Sequence, residues 1–153
     1  ALRKVVRISP RIDQLFTADS AVRNISNNND VSDPLSVQNE MDYCDMVLGR
    51  NVDPAHTSSY SKSQAGDMRY QITHALALLR AGKSDLAVDE LVITKAPPDD
   101  PFVLARHKAV QAMALAASGD RERAQLHFQS LSGEFLSSQE ISLVRSFLKK
   151  TAR

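Results

Sequence analysis

The chain has 153 residues, of which 42% are hydrophobic and 24% charged, so it is long enough to bury a core and has the composition of a globular protein. Its net charge of +1 argues against a strongly basic nucleic-acid-binding protein, and it contains no run of about 18 apolar residues that could span a bilayer. Aromatic residues make up only 5% and Trp is absent, which favours helices over sheets. The single Cys44 excludes an internal disulfide and is typical of a reducing compartment, so we expect a cytoplasmic protein.

Charge is unevenly distributed in the first third of the chain. Residues 1–11 form a basic arm with four cations and no acid, whereas residues 13–53 carry eight acids and two arginines. These stretches could pair within the chain or across a homodimer, or could be two solvated surfaces. Residues 2–8 alternate weakly, as in a short strand or an extended arm, and residues 10–24 have helical spacing.

The middle of the chain contains one predicted helix and one predicted loop. Residues 34–48 should form a helix that begins at Pro34 and ends near Gly49, because proline suits a first helical position and glycine a left-handed cap. Residues 50–65 have no period and contain four Ser residues together with Asn51, Asp53 and Pro54. We interpret residues 51–65 as a flexible loop that separates an N-terminal part, residues 1–50, from a repeat region, residues 66–153.

The repeat region has an internal period of 37 residues. Five positions recur: Ala75, Leu78, Gly82, Ala87 and Leu91 in the first copy, and Ala112, Leu115, Gly119, Ala124 and Phe128 in the second. Helical spacing on both sides of each glycine predicts two helix–turn–helix units, at residues 67–98 and 104–135. Ser137 and Glu140 have capping-box spacing and predict a last helix over residues 136–150. We therefore predict an all-α fold of antiparallel helical hairpins, stacked as a short array with a C-terminal capping helix.

Residues 67–133 resemble a tetratricopeptide-repeat protein, a family in which small residues stand where two antiparallel helices cross. The small residues are Ala75 and Ala112 in the first helix of each copy and Ala87 and Ala124 in the second. The family's Trp, large first-helix Leu and first-helix Gly are missing from both copies, and the period departs from the usual value of about 34 residues. The resemblance implies an inner surface, lined by the first helix of each pair, that holds a helix or an extended peptide of another protein. A generic helical bundle is the alternative.

Candidate partner-binding residues follow from the shared repeat offset. Arg69 and Arg106 could grip an acidic segment of a partner, or could be ordinary exposed arginines. Tyr70 and His107 also share one offset, and apolar side chains on the first helices are candidate anchors. The predicted site consists of Arg69, Tyr70, Leu76, Arg106, His107 and Met113, with Leu79 as a further anchor.

No motif in the sequence names a reaction. The four histidines, of which His56 is the first, lack the spacing of a zinc site, and no glycine-rich phosphate-binding loop is present. Cys44 stands between Asp42 and Asp45, whose carboxylates would raise the pKa of its thiol and make it a poor nucleophile. We therefore expect no catalytic residue, no metal and no cofactor.

Three functional hypotheses remain at this point. The first is a non-enzymatic protein–protein interaction module: an adaptor, an assembly factor or a secretion-type chaperone, with another protein as partner and no nucleic acid. The alternative is a regulatory or oligomerisation domain of a larger transcription regulator or membrane-anchored sensor, which the basic arm motivates. The third is an enzyme whose helical pocket is lined by His74, His107 and Arg69.

Overall fold

The computed structural model of the protein describes residues 34–92 and 99–150. These residues form seven α-helices and a short 3-10 helix, and they contain no strand. The elements are α1 (Pro34–Val47), α2 (Pro54–Ser63), α3 (Met68–Arg80), α4 (Ser84–Val92), α5 (Pro101–Ser118), α6 (Arg121–Gln129), the 3-10 helix (Gly133–Phe135) and α7 (Ser138–Lys150). The predicted all-α class is confirmed. The basic arm and the helix predicted at residues 10–24 lie outside the described residues.

Helices α3 and α4, and then α5 and α6, pack against each other across two glycine turns of the same construction. In the first turn, the N–H groups of Gly82 and Lys83 donate to the carbonyls of Leu79 and Leu78, at 3.1 and 2.9 Å. The same two hydrogen bonds recur in the second turn, where Gly119 stands in place of Gly82. Both glycines have positive φ, 79° and 99°, a conformation that a Cβ atom disfavours. This pair of bonds is the Schellman arrangement that ends many helices.

The repeated alanines lie at the centre of the packing. All four of them are fully buried: Ala75, Ala87, Ala112 and Ala124. A methyl group at each crossing lets the backbones approach closely, and larger side chains such as Leu76 and Met113 fill the space beside them. Helix α5 is central, because it packs against α3, α4, α6 and α7.

Side chains fix where the later helices begin, and at α7 they do so as the capping-box spacing predicts. Helix α5 begins at Pro101, and the carboxylate of Asp100 accepts from the N–H groups of Phe102 and Val103 at 2.9 and 3.4 Å. Helix α7 begins with a reciprocal capping box. The Ser137 hydroxyl accepts from the N–H of Glu140 at 3.1 Å, and the Glu140 carboxylate accepts from the N–H of Ser137 at 3.1 Å.

The interpretation of residues 51–65 as a loop is wrong, because residues 54–63 form helix α2. Asp53 caps this helix by accepting from the N–H of Ala55 at 2.9 Å, and Pro54 occupies the first position. Thr57 and Tyr60 are buried and pack the helix against α3. Its other residues are mostly polar, which conceals the helical period in the sequence.

Helix α1 lies on the side of the hairpins formed by α3 and α5, the first helix of each hairpin. It packs against α3, and it also contacts α5 and α7 through polar side chains. The helix ends at Val47, before Gly49 with its φ of 91°, as predicted. Gly133 does not have a positive φ, and it begins the 3-10 helix. No helix in the described parts of the chain is long and apolar enough to cross a membrane.

Candidate functional site

Arg106 of α5 is the centre of a buried polar cluster and is not an exposed arginine. Its two terminal nitrogens donate to the two carboxylate oxygens of Glu40, each at 2.8 Å. Its Nε lies 3.4 Å from an oxygen of Glu140, and its Cζ lies 4.2 Å from the ring centroid of Tyr43. Only 11% of the Arg106 side chain is exposed, so these contacts occupy a guanidinium that was predicted to meet a partner.

This cluster joins three helices that are distant in sequence. Tyr43 of α1 donates its hydroxyl hydrogen to Glu140 of α7 at 2.7 Å, and the same carboxylate caps α7. Burial, together with the negative charge of Glu140, raises the pKa of Tyr43 well above its usual value, so the phenol remains a donor. Burial alone would lower the pKa of Arg106, but the carboxylates of Glu40 and Glu140 raise it. The guanidinium is therefore permanently charged and holds α1 to α5.

A small cleft lies beside the cluster, between α1, α3 and the first turns of α5. It is lined by Asn39, Glu40, Tyr43, Arg69, Ile72, Thr73, Val103 and Arg106. The cavity has a volume of about 20 Å³, which is room for one group of the size of a water molecule. Both arginines of the predicted pair thus line one cleft. Their guanidinium groups are already bound to carboxylates of this chain.

Arg69 is held at the start of its own helix. Its Nε donates to a carboxylate oxygen of Asp67 at 2.9 Å, and a terminal nitrogen donates to the other oxygen. Asp67 is also the cap of α3, where it accepts from the N–H of Arg69 at 3.0 Å. Hydrogen bonding to Asp67 raises the pKa of Arg69. Arg69 therefore lies at the rim of the cleft with its charge balanced by Asp67.

Asn39 is the polar group in the cleft whose hydrogen bonding is incomplete. The residue is only 6% exposed, and its Oδ1 atom has no hydrogen-bond partner within residues 34–92 and 99–150. An amide oxygen that is removed from water without a donor costs free energy, so native structures rarely contain one. Asn39 therefore marks the cleft as a place where a donor is expected.

The predicted apolar anchors are buried in the core. Tyr70 and Met113 are each 2% exposed, Leu79 is 4% exposed and Leu76 is fully buried. They are therefore not exposed as surface anchors in this structure, contrary to the expectation that they line an inner surface. The physical reason is that α1, α2 and the neighbouring hairpin cover the surface on which they stand, with Tyr70 meeting the edge of Tyr60 at a centroid distance of 5.7 Å.

The pocket proposed for an enzyme is not assembled. His74 shares a hydrogen bond of 2.8 Å with the hydroxyl of Thr57, and Nε2 of His107 lies 3.3 Å from the carbonyl oxygen of Leu91. No hydrogen bond or ion pair in the described part of the chain joins His74, His107 and Arg69 to one another. Burial lowers the pKa of both histidines. They are therefore neutral side chains that tie neighbouring helices together.

The remaining candidates for chemistry are structural as well. Cys44 is fully buried in the core, and burial raises the pKa of its thiol well above the usual value. Asp42 accepts from Tyr60 at 3.1 Å and lies 3.2 Å from Nε2 of His56, which links α1 to α2. Within the residues that the structure describes, no group of three His, Cys, Asp or Glu side chains could hold a metal ion.

Sequence reasoning did not assign Asn39, Glu40 or Tyr43 to a site, and it assigned Glu140 only to the capping box of α7. One signal was available on α1, because Asn39 and Glu40 each lie about one turn before Tyr43 and would neighbour it on any helix over residues 34–48. Nothing in the sequence pairs these residues with Arg106. Comparison of the chain with protein-family models, with curated proteins and with solved structures found no match.

Proposed function

We propose that the chain is a non-enzymatic protein–protein interaction module, of the adaptor, assembly-factor or secretion-chaperone kind, which holds a partner segment at the cleft between α1, α3 and α5. The observation that carries the proposal is Asn39, a buried side chain whose Oδ1 has no donor among the described residues. A partner that supplies this donor would gain a hydrogen bond without having to displace one that already exists.

The surroundings of the cleft suit docking. Its walls come from three helices that are fixed by the Arg106 cluster and by the Asp67 and Asp100 caps. Such preformed walls reduce the ordering cost that a binding event must overcome. The partly buried side chain of Val103 provides apolar contact beside the polar centre, which is the usual composition of a small binding site.

Selective blocking of the cleft tests the proposal. Val103→Trp places a large ring at the wall of the cleft, on a side chain that is only partly buried, so the fold should tolerate it. Gln125→Trp is the matched control, because Gln125 is exposed on α6. The tagged protein and both variants are used to capture partners from cells that naturally make the chain, and the captured partner is then purified for calorimetry.

We expect Val103→Trp to weaken binding of the purified partner by at least about tenfold, the effect of losing a central contact, while Gln125→Trp binds normally. Circular dichroism must show the same helicity in all three proteins. Equal binding by the two Trp variants would remove the cleft from the interface. The absence of any partner that binds the purified wild-type protein would refute the proposed function itself.

The second candidate is an oligomerisation domain, which the exposed aliphatic side chains of α4 favour. Leu86 is 53% exposed and Val92 is 67% exposed on this helix. Light scattering over a range of protein concentrations tests this candidate, with Leu86→Lys as the variant that should shift a dimer towards monomer. A wild-type protein that remains monomeric at millimolar concentration would contradict it.

A further inference from the structure

Helix α4 presents aliphatic side chains to solvent on its outward side. Leu86 and Val92 are 53% and 67% exposed there, and Asp85 and Asp89 beside them are exposed as well. Residues 85, 89 and 92 are spaced by four and three positions, so they share one side of the helix, opposite the buried Leu91. We call Asp85, Leu86, Asp89 and Val92 the α4 face. No element of the described chain covers it.

The α4 face is negatively charged. Helix α4 contains three acids and no base, and Asp85 and Asp89 form no ion pair with another described residue. The third acid, Glu90, is turned towards α2, where it accepts from the Ser61 hydroxyl at 3.5 Å. Lys83, the cation nearest to them in the sequence, lies before the first turn of the helix. An occupant that suits this face therefore carries aliphatic side chains together with positive charges.

Charge distinguishes the α4 face from the other exposed aliphatic surface in the described part of the chain. That surface is Leu126 of α6, which is 60% exposed. Its exposed neighbours, Glu122 and Arg123, have opposite charges, and Arg123 pairs with Asp120 at 3.4 Å. The surface around Leu126 therefore selects neither sign of charge. The α4 face selects a cation, and a second α4 face would be repelled by like charge.

Residues 1–11 of this chain have the composition that the α4 face requires. They contain four cations, four large aliphatic residues and no acid. The cations can neutralise the carboxylates of Asp85 and Asp89, and the aliphatic side chains can remove Leu86 and Val92 from water.

The acids that lie closer to the arm in the sequence are already engaged within the described residues. Glu40 binds a buried arginine, and Asp42 accepts from a buried tyrosine. Asp45 pairs with Arg50 at 3.4 Å, and Asp53 caps α2. Pairing of the arm with these acids would have to displace existing contacts, whereas pairing with the α4 face displaces no ion pair of the described residues.

The length of the chain between the arm and α1 permits this contact. Residues 12–33 provide 22 residues of connection. At about 3.3 Å per residue they can span up to about 70 Å, whereas a globular unit of about 100 residues is roughly 35 Å across. Covalent connection also keeps the arm at an effective concentration on the order of 1 mM, so even a weak contact is populated.

We propose that residues 1–11 dock on the α4 face of their own chain, with their cations beside Asp85 and Asp89 and their aliphatic side chains against Leu86 and Val92. The proposal goes beyond the proposed function, which concerns the cleft between α1, α3 and α5. It gives the α4 face an occupant other than a second copy of the chain.

Disulfide trapping in the full chain tests the proposal. Ser9→Cys places a thiol in the arm, and Val92→Cys places one of similar size to valine on the α4 face. Cys44 does not compete, because it is fully buried. Leu126→Cys, combined with Ser9→Cys, is the matched control. With the neutral oxidant diamide, we expect the α4 pair to close within one chain at least about tenfold faster than the control pair, because a disulfide needs Cα atoms within about 7 Å.

Charge reversal separates docking from misfolding. Asp85→Lys with Asp89→Lys should slow closure of the α4 pair by about fivefold or more, and so should Arg3→Glu with Arg7→Glu. All four changes in one chain make the charges opposite again and should restore the rate, a gain that misfolding cannot produce. Each rate is divided by the rate at which the same thiols react with a neutral reagent, which corrects for their intrinsic reactivity.

Three results would overturn the proposal. Equal closure rates for the α4 pair and the control pair would mean that the arm has no preference for α4. Rates that do not respond to charge reversal would remove the charge complementarity. A disulfide that joins two chains, or a dimer that Leu86→Lys converts to monomer, would give the α4 face to a second copy. The outcome of Val103→Trp at the cleft is independent of all three.

Discussion

The hairpin core, helices α3 to α6, and the α1 contact, in which α1 meets α3, α5 and α7, share one apolar core, and the α1 contact adds a buried ion pair to it. The hairpin core consists of alanines and larger aliphatic side chains that are almost completely buried. The α1 contact buries Tyr43, Cys44, Met46 and Val47 as well, but it adds the polar Ser36, Asn39, Glu40 and Asp42 on the same helix and centres on Arg106. Apolar packing tolerates substitutions that keep the volume similar. A buried ion pair stabilises the fold only when both partners and their hydrogen bonds are in place. The α1 contact should therefore fail abruptly when one member is removed.

Removal of Arg106 should have the largest effect. Arg106→Ala leaves the carboxylates of Glu40 and Glu140 buried without their cation, which should lower the free energy of unfolding by about 3–5 kcal/mol. Urea unfolding measures this change. Arg123→Ala is the control, because Arg123 is 61% exposed and pairs with Asp120 at 3.4 Å on the surface, where such a pair contributes about 0–1 kcal/mol. Equal effects of the two substitutions would contradict the distinction between the regions.

A cavity created in the hairpin core should cause the next largest loss of stability, and this loss should not depend on salt. Leu76 is fully buried, so Leu76→Ala should lower the free energy of unfolding by about 2–5 kcal/mol. The loss should be the same at low and at high salt, because no charge is involved. Leu86→Ala, at a residue that is 53% exposed, should have little effect. A strong salt dependence for Leu76→Ala would show that the core is not held by apolar packing.

Replacement of Asn39 in the α1 contact should stabilise the protein, whereas removal of Arg106 from the same contact should destabilise it. Asn39→Leu removes a buried acceptor that has no donor among the described residues, so unfolding should cost about 1–3 kcal/mol more. Asn51→Leu, at an exposed asparagine, should leave stability nearly unchanged. A decrease in melting temperature for Asn39→Leu would mean that Oδ1 is hydrogen-bonded in solution.

The smallest predicted effect is a pH dependence that arises in the hairpin core. Burial lowers the pKa of His74 and His107 below the unfolded value of about 6.5. Between the lowered pKa of the folded protein and the pKa of the unfolded chain, the unfolded chain binds more protons than the folded protein. The stability that comes from the neutral histidines is therefore complete above about pH 6.5 and decreases as the pH falls. The melting temperature should therefore be lower at pH 5.5 than at pH 7.5, and His74→Gln should reduce that difference. An identical difference in the variant would remove His74 as a cause.

The hairpin core could be predicted from the sequence because its information is local. Gly82 and Gly119 mark the turns, and the alanines at fixed offsets from them mark the crossings. Capping works at the same range, so Asp100 with Pro101, and Ser137 with Glu140, predict where α5 and α7 begin. Helix α2 was predictable by the same rule, since Asp53 precedes Pro54, but the lack of an apolar period in its polar sequence outweighed that signal.

The α1 contact could not be predicted because its partners are far apart along the chain. Arg106 meets a carboxylate 66 residues earlier, and no local pattern states that this pair will form. Repeat position made Arg69 and Arg106 look equivalent, yet one pairs within its own turn and the other is buried against two helices. Leu76 and Met113 were assigned to a surface because the sequence does not show that α1 covers their helices.

The hydrogen bond between Tyr43 and Glu140 has a consequence for the order in which the chain folds. The two residues are 97 positions apart, so this bond closes the longest loop described above, at an entropic cost that the short glycine turns do not incur. Contacts of such sequence separation form slowly, because the intervening chain must already be compact. We therefore expect the paired helices to assemble first and α1 to attach late. In a kinetic experiment, Tyr43→Phe should accelerate unfolding while leaving the refolding rate almost unchanged.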